Sequence, residues 1–88
     1  VNRTALGGYV SFTVANTEET SLCMGTQLAI LPAGSYDGER HTVVDAVGDA
    51  SLDAPLSIAY SLYHWNIANP YGSKTFHWSE ALNNWIEV

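Results

Sequence analysis

Two of the three histidines stand directly before a tryptophan, in His64-Trp65 and His77-Trp78. Between them lie the turn-forming residues Asn69-Pro70-Tyr71-Gly72-Ser73 and the only lysine, Lys74. Imidazoles ligate metals and carry protons near neutral pH. Indole and phenol rings hold sugars, lipid headgroups and cations against their faces. The spacing therefore admits a metal or acid–base pair, an aromatic binding tip, or plain cross-strand packing.

Packing alone accounts for the repeated His-Trp. If Tyr60–Trp65 and Thr75–Trp78 form a hairpin with His64 opposite His77, alternation puts Trp65 against Phe76 and Tyr63 against Trp78 on one face. His64 and His77 then share the other face. Two imidazoles begin a zinc site, but the common sites need a third ligand and the sequence nominates none. The expectation is no metal and no cofactor, with stability falling between about pH 7 and pH 5 as both rings charge. Lys74, a solitary cation among aromatics, suits a zwitterionic headgroup or a sugar. Trp65, Tyr71, Lys74, Trp78 and Trp85 are the candidate ligand-binding residues.

Other chemistries find less support. No G-x-S-x-G elbow accompanies the Ser, His and Asp residues. Cys23 sits between Leu22 and Met24 in a strand-like run, the setting of a buried structural thiol. It is the only cysteine, so it is either free or half of an intermolecular bridge. Glu18-Glu19 falls in a polar turn. Asp45, Asp49 and Asp53 recur every four residues, without the alternation of a calcium loop. No catalytic residues are expected, and the chain reads as a non-enzyme.

The elements that must position these residues show a period of two. Val10, Phe12 and Val14 alternate with polar neighbours. "SLCMGTQLAIL" keeps one parity until Gly25-Thr26, as a bulged strand or two shorter ones. "HTVVDAV" follows. "PLSIAYSLYHW" is the strongest strand, with Leu56, Ile58, Tyr60 and Leu62 on one face. "TFHW" and "NWIEV" close the chain, and Ser79 to Ile86 also admits a helix capped by Ser79. With no helical period elsewhere, residues 1–88 read as one all-β domain. Its simplest form is a small antiparallel β-sandwich with an open last edge that a partner subunit would complete.

Composition narrows the partners. Nine acidic against three basic residues give a net charge of −6, which excludes nucleic acid and disfavours anionic lipid. Only 14% of residues are charged and 47% are hydrophobic, well below the roughly 25% charged residues of a typical soluble domain. Much of the surface must therefore be uncharged, as in proteins that associate with themselves, a second chain or a membrane. Asn2-Arg3-Thr4 matches the N-glycosylation acceptor pattern at Asn2. The start at Val1 implies a removed or omitted upstream segment, and an extracellular location is favoured.

"NPYGSKTFHW" followed by "NNWIEV" resembles the aegerolysins, small acidic β-sandwich proteins. The matching residues are Pro70, Tyr71, Gly72, Ser73, Lys74, Thr75, Trp78, Trp85, Ile86 and Glu87. "YVSFTVANTEE" and "VVDAVGDA" match more loosely. The resemblance implies binding to membrane lipids, often sphingolipids with a zwitterionic headgroup, and for some members a pore-forming toxin partner. This chain is shorter, with compressed middle loops. The expectation is thus a binding module for a lipid or glycan surface. The alternative is a structural subunit of an extracellular oligomer, fibre or multi-chain toxin, with Trp85 as the assembly anchor.

Overall fold

The computed structural model describes residues 2–11 and 19–88, without the side chains of Asn2, Arg3 and Ala5. The described residues form nine strands and no helix: β1 (Asn2–Leu6), β2 (Tyr9–Ser11), β3 (Glu19–Met24), β4 (Leu28–Ile30), β5 (Arg40–Asp45), β6 (Leu56–Tyr60), β7 (Tyr63–Ile67), β8 (Ser73–Ser79) and β9 (Asn84–Glu87). The chain is all-β, as its alternation predicts. Phe12 and Val14, read as part of the first strand, lie outside the described residues.

The pairing differs from the antiparallel arrangement that the strand spacing suggests. One sheet has the order β1-β3-β5-β8-β9 and the other β2-β4-β6-β7. Through β6, successive strands alternate between the sheets, so that β1, β3 and β5 run parallel, as do β2, β4 and β6. Only the final strands pair antiparallel, β6 with β7 and β5 with β8 with β9. Short corners make this possible. Gly25 has φ +75°, a conformation that side-chain-bearing residues adopt reluctantly. There the chain leaves β3 and enters the second sheet instead of folding back beside itself.

The corners stack in register. The Gly8 carbonyl accepts from the Gln27 N–H at 2.8 Å, and the Gln27 carbonyl accepts from the Ser57 N–H at 2.9 Å. These corners, with loops 46–55 and 68–72, make one end of the molecule. Residues 31–39, the β6–β7 tip and residues 80–83 make the other.

Both sheets contribute to one core. Cys23, Val43, Phe76, Trp78 and Trp85 come from the five-stranded sheet, and Ala29, Leu56, Ile58 and Ile67 from the four-stranded one. Trp65 of β7 meets Phe76 of β8 with ring centroids 4.8 Å apart, and Tyr60 of β6 meets the Trp78 ring edge-on at 5.5 Å. The Trp65–Phe76 contact foreseen for a hairpin therefore exists, but it joins two sheets. Tyr60, not Tyr63, meets Trp78.

"PLSIAYSLYHW" divides. Ser61, at φ +53°, and Leu62 form a two-residue turn between Tyr60 and its partner Tyr63. Leu62, expected on one face with Leu56, Ile58 and Tyr60, is 90% exposed. No Asn-Gly or Asp-Gly marks this turn. Residues 80–83 are a turn closed by the Leu82 N–H on Ser79 Oγ at 3.2 Å, and the strand reading of the C-terminus holds over the helical one.

Candidate functional site

The foreseen site does not assemble as one surface. His64 lies on β7 opposite Ala59, while His77 lies on β8 opposite Arg40 and Ile86, in the other sheet. They do not face each other and cannot share a ligand. The reason is topological: loop 68–72 carries the chain across to the other sheet instead of closing a hairpin. His77 instead accepts from Arg40 Nε at 3.1 Å. Among the described residues no three His, Cys, Asp or Glu side chains are placed to hold a metal ion.

Trp78 and Trp85 are core residues, 3% and 1% exposed, packed edge-on with centroids 5.3 Å apart. Neither presents a face to a ligand. The Trp78 indole donates to Glu80 and the Trp85 indole to the Pro32 carbonyl, at 2.9 and 2.8 Å. Each buries its ring area and satisfies its one donor. Lys74 is not solitary: its ammonium pairs with Glu87 at 2.9 Å. Trp65 is half-buried, stacked with the exposed Tyr63 at 6.5 Å and 21°. Asn2 lies in β1, and its acceptor side chain lies outside the described residues.

Tyr71 remains exposed, but it is built into the loop end. The organising group there is Asp45, which the sequence reading set aside. Its buried carboxylate accepts from the N–H groups of Gly48, Ala50 and Tyr71 at 3.1, 3.0 and 3.1 Å. Loops 46–55 and 68–72 are thereby tied to the end of β5. Gly48 has φ +74°, and a Cβ there would fall 2.4 Å from the Tyr71 ring. The position requires glycine on both counts. Burial pushes the Asp45 carboxyl up, yet the Ala50 and Tyr71 N–H groups, the Asp49 side chain and the Gly48 N–H together hold it below the usual carboxylate range.

No family model and no curated protein matches the chain. The function has to be argued from the sites themselves.

A serine–histidine contact invites a catalytic reading. Ser21 Oγ and His41 Nε2 are hydrogen-bonded at 2.9 Å across β3 and β5, with Glu19 on the same inner face. The sequence reading missed it because the partners are twenty residues apart on parallel strands. Both side chains are fully buried and His41 packs edge-on against Trp85 at 6.0 Å. A nucleophile must reach its substrate, and this serine is sealed inside the core. The contact satisfies buried polar groups.

Cys23 is equally enclosed. Burial raises its thiol to about 11, opposed by a hydrogen bond with the Thr26 side chain and assisted by the Asp45 charge. At pH 8 the native protein should leave a disulfide-exchange reagent such as dithiobisnitrobenzoate unconsumed, and denaturant should release one equivalent of reactive thiol per chain. Fast native labelling would contradict the buried thiol, and no thiol released by denaturant without reductant would point to an intermolecular bridge.

Among the described residues, two clusters at the ends of the molecule face outward with the chemistry of binding. One is the end formed by the β6–β7 tip and residues 80–83. The other is a cleft at the opposite end, beside the loops that Asp45 fixes.

Proposed function

We propose that the chain is a non-enzymatic module that docks on zwitterionic lipid through the end bearing Leu62 and Leu82. The carrying observation is that these leucines, 90% and 66% exposed, occupy two neighbouring turn tips. The Tyr60–Trp78 contact places the strand ends side by side. Exposed Tyr63 stacks on half-buried Trp65 next to Leu62, and Tyr36 is exposed on loop 31–39 of the same end. Aliphatic points backed by Tyr and Trp rings suit the boundary between headgroups and acyl chains.

Charge favours the same surface. Asp37 and Glu80 stand beside the tips, where the Glu80 N–H donates to the Asp37 carboxylate at 3.0 Å. Such an end is repelled by anionic headgroups and tolerates zwitterionic ones. The reading also draws on the resemblance of the C-terminal stretch to aegerolysins, which implies lipid binding. The contact surface proposed here is the turn tips, whereas the sequence reading placed it on the Lys74 loop.

Sedimentation with vesicles of phosphatidylcholine and sphingomyelin tests the proposal. Each leucine contributes at least about 1.5 kcal/mol when it leaves water fully. The double variant Leu62→Asp, Leu82→Asp should therefore partition at least about a hundredfold less, with an unchanged circular dichroism spectrum. No pelleting of the parent protein, or equal pelleting of the variant, would refute it.

A second reading, an assembly subunit, draws on the outer face of the five-stranded sheet. Leu6, Met24 and Ile86 are exposed there beside half-buried Leu22 and Val44. Light scattering at several concentrations separates the two. A concentration-dependent oligomer supports assembly, and a monomer that binds vesicles supports the lipid module.

A further inference from the structure

We propose that the cleft at the Asp45 end is a carbohydrate site for a neutral pyranose. Its volume is about 440 Å³, within the range of small-ligand pockets. Its floor is a row on the outer face of the four-stranded sheet: Tyr9, Leu28 and Ser57 are consecutive register partners on β2, β4 and β6. Thr26 and Gln27 close one side from the β3–β4 corner, and Asp49 closes another from loop 46–55.

The lining matches the two faces of a sugar. Tyr9 is 76% exposed and borders the cleft, so its ring is free to pack against the C–H face of a pyranose. Around it stand a carboxyl group (Asp49), an amide that both donates and accepts (Gln27) and a hydroxyl that does likewise (Ser57). Adjacent sugar hydroxyls need that mixture. The lining contains no Lys, Arg or His, which disfavours phosphate or carboxylate ligands on a chain of net charge −6.

The walls are set before any ligand arrives. The stacked Gly8, Gln27 and Ser57 backbone bonds fix the corners, and the Asp45 carboxylate fixes loop 46–55. Ser51 closes the loop's far part by accepting the Ala54 N–H at 3.0 Å. Little ordering remains to oppose binding.

The test is amide chemical-shift titration of the ¹⁵N-labelled protein. The probes are the methyl glycosides of glucose, galactose, mannose and N-acetylglucosamine, with choline chloride and inorganic phosphate as comparators. At least one glycoside should give saturable shifts confined to Tyr9, residues 25–28 and residues 49–57. Tyr9→Ala should weaken that binding about tenfold or more, and Asp49→Asn should weaken it while preserving the parent spectrum elsewhere. Tyr63→Ala, at the other end, should leave it unchanged. Shifts with choline or phosphate alone, no shifts with any glycoside, or full affinity in both cleft variants would overturn the proposal. The titration contains no lipid, so its outcome is independent of the vesicle experiment.

Discussion

Replacing Asp45 by asparagine should destabilise the protein by about 3 kcal/mol, measured by urea denaturation at pH 7. The substitution keeps the shape and removes the charge. At best the amide oxygen retains the Ala50 and Tyr71 N–H groups. The amide nitrogen then faces the Gly48 N–H, donor against donor, in a buried setting. The loss is a large part of the roughly 5–15 kcal/mol that holds a small domain together. Its sign with pH follows from the depressed carboxyl. Asp45 contributes fully above its ordinary unfolded value of 3.8 and loses that contribution as pH falls through the lower folded value. The parent should therefore lose stability steeply in acid, and Asp45→Asn should show a shallower loss over that range. A variant as stable as the parent at pH 7, or parallel pH profiles, would remove Asp45 from its organising role.

Trp85→Ala should cost about 3–5 kcal/mol and unfold the single chain at a much lower urea concentration. Trp85 is 1% exposed, packs on Trp78 and His41, and donates to the Pro32 carbonyl. Its removal leaves a cavity between the sheets and an unpaired carbonyl on the 31–39 loop. This replaces the expectation drawn from sequence parity, in which Trp85 anchors an assembly and its loss weakens association first. The neighbouring Ile86 keeps the opposite parity and is exposed, so only one of the two faces outward. Trp85→Phe should recover most of the packing but not the indole hydrogen bond, leaving about 1 kcal/mol of deficit. If Trp85→Ala dissociates an oligomer while the subunit unfolds at an unchanged midpoint, the core assignment is wrong.

Alternation along the chain marks most of the strands, although it does not mark β1 and it runs β6 and β7 together. Leu22 against Cys23 and Val43 against Val44 have only one way to put alternate side chains on opposite faces, and a period of two makes that face legible locally. The net charge of −6 likewise follows from the sequence alone and disfavours polyanionic partners. Cys23 as a buried thiol follows from the same local pattern.

Tertiary structure decided which strands are neighbours, because alternation is the same in parallel and antiparallel pairs. Whether a Gly-containing corner folds a strand back or turns it into a second sheet depends on φ values such as that of Gly25, which composition does not reveal. Every reading that needed a partner strand moved with that choice. His64 and His77 separated into two sheets, Trp78 and Trp85 went inside, and Lys74 found Glu87. Asp45 shows the converse. Its spacing from Asp49 and Asp53 matches no calcium loop and marks no role, yet its place at the last inward position of β5 put it beneath two loops with three backbone donors aimed at it. A carboxylate's role depends on which donors surround it, and those donors come from residues up to twenty-six positions away. The cleft has the same origin: Tyr9, Gln27, Asp49 and Ser57 are scattered in sequence and become neighbours only because parallel coils stack their corners.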